Sequence, residues 1–495
     1  MSIFSIWQED TSHHDFPSLK EEIETDVCIV GAGITGLTCA FNLVESGRKV
    51  VVLEALQAGQ GTSGFSSNHL NTQVDYSYQK IIRNFGNEAA RCVADSRKAA
   101  IANIEHNIQK TGASCEFKRI PGYLYTETED KIDFLEQEEK AAKLVGLEVS
   151  MNESPDLPFK VAASLKFNDQ AQFNSQKYLE GLLNYLADKC EIYEHSRVVQ
   201  FNHQQKRLVT ERGAVKANHI FFATHLPLFI NIHQTSSAPY RSYIQVAELE
   251  SYPLDGLYWD LQDPYHYTRN YQENGSKYLV VGGADHKTGE NDDHHDHYKN
   301  LESYVRTHFP VKNIVKQWSS QYYEPADGLP YIGKTPFSDT YMATGFSGDG
   351  LVYGTVAASI VCDMISGIEN SWHQVYNARR FKPIASARNW VTENVDVARH
   401  FVLDRFKTSA LEKIEPGNGA IVSIKGKHYA VSKDENQQLS IYSATCPHLG
   451  CLVQWNPEEK SWDCPCHGSR FTSKGELIVG PATHDLKPHH PEDLD

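Results

Sequence analysis

The chain has 495 residues, 40% of them hydrophobic, and a formal net charge of −16; such a length suits about three domains with packed cores. The acidic balance argues against nucleic acid or an anionic membrane as partner, because both need basic surface, and no apolar run approaches the ~20 residues of a membrane span. The opening MSIFSIWQEDTSHHDF lacks a basic stretch followed by an apolar one, so no signal peptide is expected and the cytoplasm is the default location.

Residues 1–24 read as an extension ahead of the first regular element. An apolar run at 27–30 then leads into Gly31-x-Gly33-x-x-Gly36, a helical stretch, and a second apolar run at 50–53 that stops at Glu54. These are the parts of a dinucleotide-binding βαβ unit in their proper order. Gly31 permits the tight turn, Gly33 lets backbone approach a pyrophosphate, and Gly36 allows close helix–strand packing. The free N–H groups of the helix start, around Ile34 and Thr35, favour phosphate. Glu54, eighteen residues past Gly36, suits the hydroxyls of an adenosine ribose.

Further along, SYIQVAELE (242–250) and YLVVGG (278–283) suit strands. The pair Gly282-Gly283 lacks a third glycine and a following helix, so it reads as a turn and not as a second nucleotide site. DDHHDHYKN at 292–300 groups His294, His295 and His297 as a metal tract would, but acids ahead of YKNLESYVRTHF fit the opening of a solvated helix better. ATGFSGDGLVYGTVAASIVCDMISG at 343–367 is glycine-rich and then turns into a small-residue helix. The stretch 378–406 holds Pro383 and then Trp390, Val391, Val395, Val397, Phe401 and Val402 at helical spacing, which predicts an amphipathic linker helix. No Gly/Ser-rich tether follows, so the C-terminal part is expected to dock on the body. From about 410 onward, short strand-like runs between turn signals predict a small β domain.

Two strings in that domain carry chemistry. CPHLGC at 446–451 and CPCHGS at 464–469 supply Cys446-x-His448, a spacer of fifteen residues, and Cys464-x-x-His467. This is the ligand pattern of a Rieske [2Fe–2S] centre, with two cysteines on one iron and two neutral histidines on the other. A Cys2His2 zinc site is the alternative; zinc knuckles rarely set Cys and His one residue apart. Cys28, Cys39, Cys92, Cys115, Cys190 and Cys362 are scattered, mostly in apolar runs, as buried small hydrophobes are. Cys451 and Cys466 remain unassigned on the two cluster loops. The domain resembles the Rieske proteins of respiratory and photosynthetic electron transport, in which cysteines at these offsets form a disulfide. The resemblance implies a Cys451–Cys466 bridge, with a pair of reduced thiols the alternative in a cytoplasmic setting. Rieske proteins that oxidise quinols at high potential have Ser and Tyr donating to sulfur. Here Ser469 keeps the first donor and Phe471 cannot supply the second, which predicts an intermediate potential.

Residues 5–380 resemble the D-amino-acid-oxidase-like flavoproteins, the family of glycine and sarcosine oxidases. GQGTSGFSSNHLNTQ at 59–73 carries the likeness, and with it Thr62 and Ser63 where that family contacts the flavin diphosphate and ring. So do IYEHSRVV at 192–199, where Val198 backbone would meet adenine, and NHIFFATHLP at 218–227, whose Ala223-Thr224 would lie beside the cofactor. PADGLPYIG at 325–333 and the 343–367 segment complete it. In that last segment Gly345, Gly348, Asp349, Gly350 and Leu351 would set a helix N-terminus at the flavin pyrimidine edge, where it stabilises negative charge. Amine oxidases of the family often have His at the position of Asp349. A carboxylate there must face away or cap the helix.

The resemblance as a whole implies an α/β FAD-binding Rossmann-like domain (about 25–110, 172–235 and 325–375). It also implies an inserted antiparallel β-sheet substrate domain (about 111–171 and 236–324), a linker helix at 381–409, and an all-β Rieske domain at 410–495. FAD and a [2Fe–2S] cluster are the expected cofactors. The implied activity is oxidation of an amine or amino acid beside its nitrogen, with electrons passing from flavin to cluster and on to an external carrier or quinone. A reductase running the other way, or a redox sensor without turnover, are the rivals. Arg241 and Arg269 are candidates to clamp a substrate carboxylate, and Tyr267 and His266 to frame the pocket. His69 and Cys362 could in principle hold a covalent flavin, but nothing specific supports either, so a non-covalent FAD is expected.

Overall fold

The computed structural model describes residues 5–9, 14–229, 232–251, 255–273, 275–290, 296–380 and 411–490. The expected linker helix at 381–409 lies outside the described residues, as do His294 and His295.

Strand Glu22–Val30 buries Val27, Cys28, Ile29 and Val30 completely or nearly so, as a strand covered on both faces must. It pairs in parallel with Val50–Leu53 on one side and Ala214–Phe222 on the other. Glu191–Tyr193 extends the sheet beyond Val50–Leu53. Thr340–Thr344 and then Tyr331–Lys334 extend it beyond Ala214–Phe222. Helices Ile34–Glu45, Asn87–Thr111, Ser175–Leu186 and Gly350–Ser366 pack together in the main core beside this sheet. Both nucleotide-facing helices, Ile34–Glu45 and Gly350–Ser366, start where parallel strands end, at the carboxyl edge where such sheets bind ligands.

A second sheet runs in the order Val311–Pro325, Ser237–Leu249, Ser276–Lys287, His266–Glu273, Leu257–Asp260, Lys118–Thr126, Ala163–Gln172 and His69–Leu70. It is antiparallel except where Leu257–Asp260 lies parallel to Lys118–Thr126. Gly282 and Gly283 sit inside Ser276–Lys287, so the expected turn is a continuous strand. A side chain at Gly282 would stand 2.0 Å from the Tyr267 ring, and one at Gly283 2.4 Å from Tyr265 O. Gly282 makes room for the Tyr267 ring on the neighbouring strand, and Gly283 for the Tyr265 carbonyl just ahead of that strand. Helix His297–His308 covers the outer face with Leu301, Tyr304 and Val305, and Asp296 caps it by accepting from Lys299 N–H. The acids at 292–296 therefore include a true N-cap, and His297 stacks on His286 and Tyr243.

The C-terminal domain holds two small sheets. One is Gly419–Ile424, Lys427–Lys433 and Leu439–Ser443; the other is Gln454–Asn456, Ser461–Asp463, Arg470–Thr472 and Leu477–Val479. Trp455, Trp462 and Phe471 form its core together with the four loop cysteines.

Candidate functional site: a two-sheet cleft closed by the cluster domain

A cavity of about 310 Å³ runs from the carboxyl edge of the first sheet to the inner face of the second. Its first end is the βαβ unit. A Cβ at Gly36 would lie 1.9 Å from Gly31 O, and one at Gly31 2.5 Å from Ala223 O, so the cradle exists only because these positions lack side chains. Gly31, Gly33, Ile34 and Thr35 line it, facing Thr62 and Ser63. Ser63 Oγ accepts from Ile34 N–H at 3.0 Å, marking that N–H as turned toward the cleft wall. Glu54 lines the same end and is held rigid, its two oxygens accepting from Ala32 N–H and Leu56 N–H at 2.8 and 2.9 Å. Val198, Ala223, Thr224, Gly348, Asp349, Gly350 and Leu351 also line the cavity. Gly36 packs behind it and Gly345 abuts Pro325, so neither faces it. The elongated shape, the side-chain-free turn and the helix N-termini fit a dinucleotide flavin.

Asp349 occupies the N-cap of Gly350–Ser366 but makes no side-chain cap bond. Its carboxylate turns to the fully buried Arg97, whose Nη1 and Nη2 lie 3.0 Å from its two oxygens. Burial alone would lower the Arg97 pKa, but Asp349 outweighs it and holds the guanidinium above its ordinary value. The same side chain donates to Asn71 O and Gln73 O and stacks over Tyr353. The Asp349 carboxylate is thus engaged by Arg97 at the cavity wall and does not cap the helix.

The other end of the cavity is walled by Ser242, Ile244, Trp259, Tyr265, Tyr267, Gln321 and Tyr322 from adjacent strands, together with His69 and Asp75. Of the four residues expected to handle substrate, only Tyr267 lies here, donating to or accepting from Ser242 Oγ at 2.9 Å. Arg241 is buried against Ser319 and reaches Glu459 of the cluster domain at 3.3 Å. Arg269 donates to Asn68 O and Phe173 O at 2.8 and 3.0 Å and stands over the Trp7 ring. His266 pairs with Asp260 and stacks on Tyr304. These three point to partners outside the cavity because each sits on a strand face turned from it or toward another element. His69 does line the cavity, and burial keeps it neutral with a pKa near 3; Cys362 instead packs against Cys39, its Sγ 3.2 Å away.

In the cluster domain the two loops have one design. Gly450 N–H donates to Cys446 O and Gly468 N–H to Cys464 O, each closing a turn around a cysteine. The Cys446 and Cys464 thiols hydrogen-bond to each other. The His448 and His467 rings meet edge-on with centroids 4.9 Å apart. Both ring nitrogens of His448 are buried without a partner. Burial pulls each imidazole pKa to about 4, so both stand neutral as iron ligands require. These orphaned donors fit a cluster. Cys451 and Cys466 form a disulfide across the loops, Cα–Cα 6.5 Å.

Ser469 Oγ accepts from Ala482 N–H at 3.0 Å and hydrogen-bonds to the Cys446 sulfur. Phe471 is buried in the domain core. Ser469→Ala is expected to lower the cluster midpoint by about 60–130 mV, taking one charge-assisted hydrogen bond at about 1.5–3 kcal/mol and a one-electron couple. A redox titration followed by EPR reads this directly; an unchanged midpoint removes Ser469 from cluster tuning.

The cluster domain docks on the second sheet. Gln321 Nε2 donates to Gly468 O and to Tyr323 Oη, both at 2.9 Å, and Tyr323 Oη donates to His467 O at 3.2 Å. Glu459 accepts from Tyr298 Oη at 2.9 Å and pairs with Arg241. Ile478, Val479, Gly480, Ala482 and Thr483 complete the wall of the large cavity. No local pattern announced Arg97, Asp75, Gln321, Tyr322 or the 478–483 wall, because each gains its place only through long-range packing.

A model of the family described as FAD dependent oxidoreductase matches residues 26–364, and a Rieske [2Fe-2S] domain model matches 405–490. The Rieske 2Fe-2S iron-sulfur protein YhfW of Bacillus subtilis is 32% identical over 494 residues, covering 98% of this chain and 97% of its own. Gamma-glutamylputrescine oxidoreductase of Escherichia coli is 24% identical, over 71% of this chain and 86% of its own. Among solved structures, glycine oxidase from Geobacillus kaustophilus superposes with a TM-score of 0.61 at 18% identity, over 72% of this chain and 99% of its own. That likeness concerns the fold.

Proposed function

The chain belongs to the FAD dependent oxidoreductase family and joins that body to a Rieske domain, and from this we propose a specific electron path. The protein is a dehydrogenase that oxidises an amine or amino acid at the carbon next to nitrogen and sends the electrons through the Rieske cluster to an external carrier or quinone. When bound, FAD supplies a two-electron acceptor able to release electrons singly, and the cluster supplies a one-electron site.

Gly31, Gly33, Ile34, Thr35 and Ser63 would hold the pyrophosphate, Glu54 the ribose, Val198 the adenine, and the helix start at Gly348–Leu351 the pyrimidine edge. Cys446, Cys464, His448 and His467 would hold the cluster. The strands of the two body sheets support division into an FAD part (about 25–110, 172–235 and 325–375) and a substrate part (about 111–171 and 236–324).

One observation carries the reading: both cofactor sites share a wall. Gln321 lines the large cavity and donates to the cluster loop at Gly468, while Ile478, Val479, Gly480, Ala482 and Thr483 of the cluster domain close that same cavity. The half-buried His448, flanked by Leu449 at 40% exposure, supports electron exit at that loop.

The test is an anaerobic titration of holoprotein with amines and amino acids, following flavin absorbance and the reduced-cluster EPR signal together. A compound that bleaches the flavin while the cluster signal grows is the expected result. If none does, and a one-electron donor reduces the cluster and then the flavin, the electron flow runs in the opposite direction.

A further inference from the structure

The substrate end of the cavity is built for positive charge. Among the described residues that line the cavity, the only Arg or Lys is Arg197, next to Val198 at the dinucleotide end. Both arginines that could have gripped a carboxylate are committed elsewhere, Arg241 to Ser319 and Glu459 and Arg269 to backbone carbonyls. In their place stand four rings, Trp259, Tyr265, Tyr267 and Tyr322, and one carboxyl, Asp75.

Asp75 Oδ2 accepts from Gly348 N–H at 3.1 Å, which fixes the carboxyl at the cavity wall. Asp75 is exposed and lines the cavity. Tyr265 and Tyr322 both donate to Asp285 Oδ2, at 2.7 and 2.8 Å. A phenol bonded to a carboxylate is richer in electrons, and its ring face attracts a cation more strongly. The Arg97–Asp349 pair next to Asp75 is internally neutralised, so it cannot supply the missing positive charge. A substrate carboxylate would meet aromatic side chains and the Asp75 carboxyl with no counter-ion, a costly burial. An ammonium would meet the opposite.

Resting on the dehydrogenase reading above, we propose that this site takes an amine without a carboxylate on the reacting carbon. Its nitrogen docks as the cation between Asp75 and the rings of Trp259, Tyr265, Tyr267 and Tyr322, and gives one proton to the Asp75 carboxylate before the neighbouring C–H bond can lose its hydride. Desolvation within the cavity, and then Asp349, raise the Asp75 carboxyl above its usual range against the opposing pull of Arg97, a direction that a bound cation would reverse.

The test uses a matched pair that cannot be oxidised, since neither has hydrogen on the carbon bearing nitrogen: tert-butylamine and 2-aminoisobutyrate. Their affinities for the holoprotein are read by calorimetry and by flavin difference spectra. The amine is expected to bind at least about tenfold more tightly, as a desolvated cation site requires. Asp75→Asn should erase that preference, and Trp259→Leu should weaken the amine alone. Equal affinities, tighter 2-aminoisobutyrate, or no binding of either in the wild-type holoprotein overturns the proposal, whatever the variants do. The two readings fail separately: if α-amino acids bleach the flavin while the site shows no preference for tert-butylamine, the dehydrogenase stands and this substrate class falls; if no amine or amino acid bleaches the flavin, the dehydrogenase reading itself falls.

Discussion

Arg241→Ala is expected to uncouple the two redox centres while leaving substrate oxidation in place. Arg241 has no exposed side-chain surface and pairs with Glu459, which is only 12% exposed, across the junction between the second sheet and the cluster domain. The Arg241 and Arg470 guanidinia outweigh burial and hold the Glu459 carboxyl below its usual range. Removing one member of a buried pair leaves the other uncompensated, at about 3–5 kcal/mol. Arg470 stands 3.6 Å from Glu459 and recovers part of that. What remains acts against the docked arrangement, and even 1.4 kcal/mol of it is about tenfold in the docked population. Stopped-flow reduction should therefore show flavin bleaching at the wild-type rate and cluster reduction slowed by roughly tenfold or more. The same variant decides between two roles for this residue. If instead the substrate KM rises while electron passage is unaffected, Arg241 is the carboxylate clamp that its sequence setting suggested.

That residue shows where sequence reading succeeds and where it stops. The βαβ glycines and the paired Cys/His loops are local constellations: ligand identity, spacing and turn chemistry all lie within a few residues, so a dinucleotide site and a [2Fe–2S] centre are legible there, while FAD as the dinucleotide rests on the family resemblance. The Asp349 position was legible as an anomaly, a carboxylate at a helix start facing a flavin. Its solution was not, because Arg97 lies 252 residues away on a helix whose exposed and buried residues follow an ordinary amphipathic pattern. Chemistry alone points to Arg241 and Arg269, since an arginine on a substrate-domain strand fits a carboxylate clamp. Which face of the strand each occupies depends on register, and a bulge between Arg241 and Tyr243 alters that register locally. Gly282-Gly283 misled for a related reason. Two glycines signal a turn by propensity, whereas here they answer cross-strand crowding from Tyr265 and Tyr267. The docking surface drew on the absence of a flexible tether, but its partners, Gln321, Tyr323 and Glu459, carry no signature of their own.

Arg97→Ala is expected to be the more damaging change. Arg97 has no exposed side-chain surface and Asp349 has 6%. One guanidinium joins three things: the Asp349 carboxylate, the carbonyls of Asn71 and Gln73, and the Tyr353 ring. Asn71 and Asp349 both line the cavity, so the side chain also fixes its wall. Alanine leaves a buried carboxylate and the Asn71 carbonyl without donors, while Gln73 O keeps the Asn71 Nδ2 donor at 2.9 Å; the broken pair alone costs about 3–5 kcal/mol before the carbonyl is counted. Urea unfolding of the holoprotein should show this loss, together with weaker FAD retention. Arg97→Lys should rescue little, because a single ammonium cannot serve both carboxylate oxygens and the two carbonyls at once. Arg97→Met combined with Asp349→Asn should recover most of the stability, because it removes the uncompensated charge rather than restoring the pair. The electrostatic consequence separates from the structural one in the same set of variants. With Arg97→Ala, a bare carboxylate stands at the helix start that would otherwise stabilise negative charge, so the flavin potential should fall; in the double variant that carboxylate is gone and the potential should return. A potential that stays low after the charge is removed would assign the effect to the displaced cavity wall and not to Asp349.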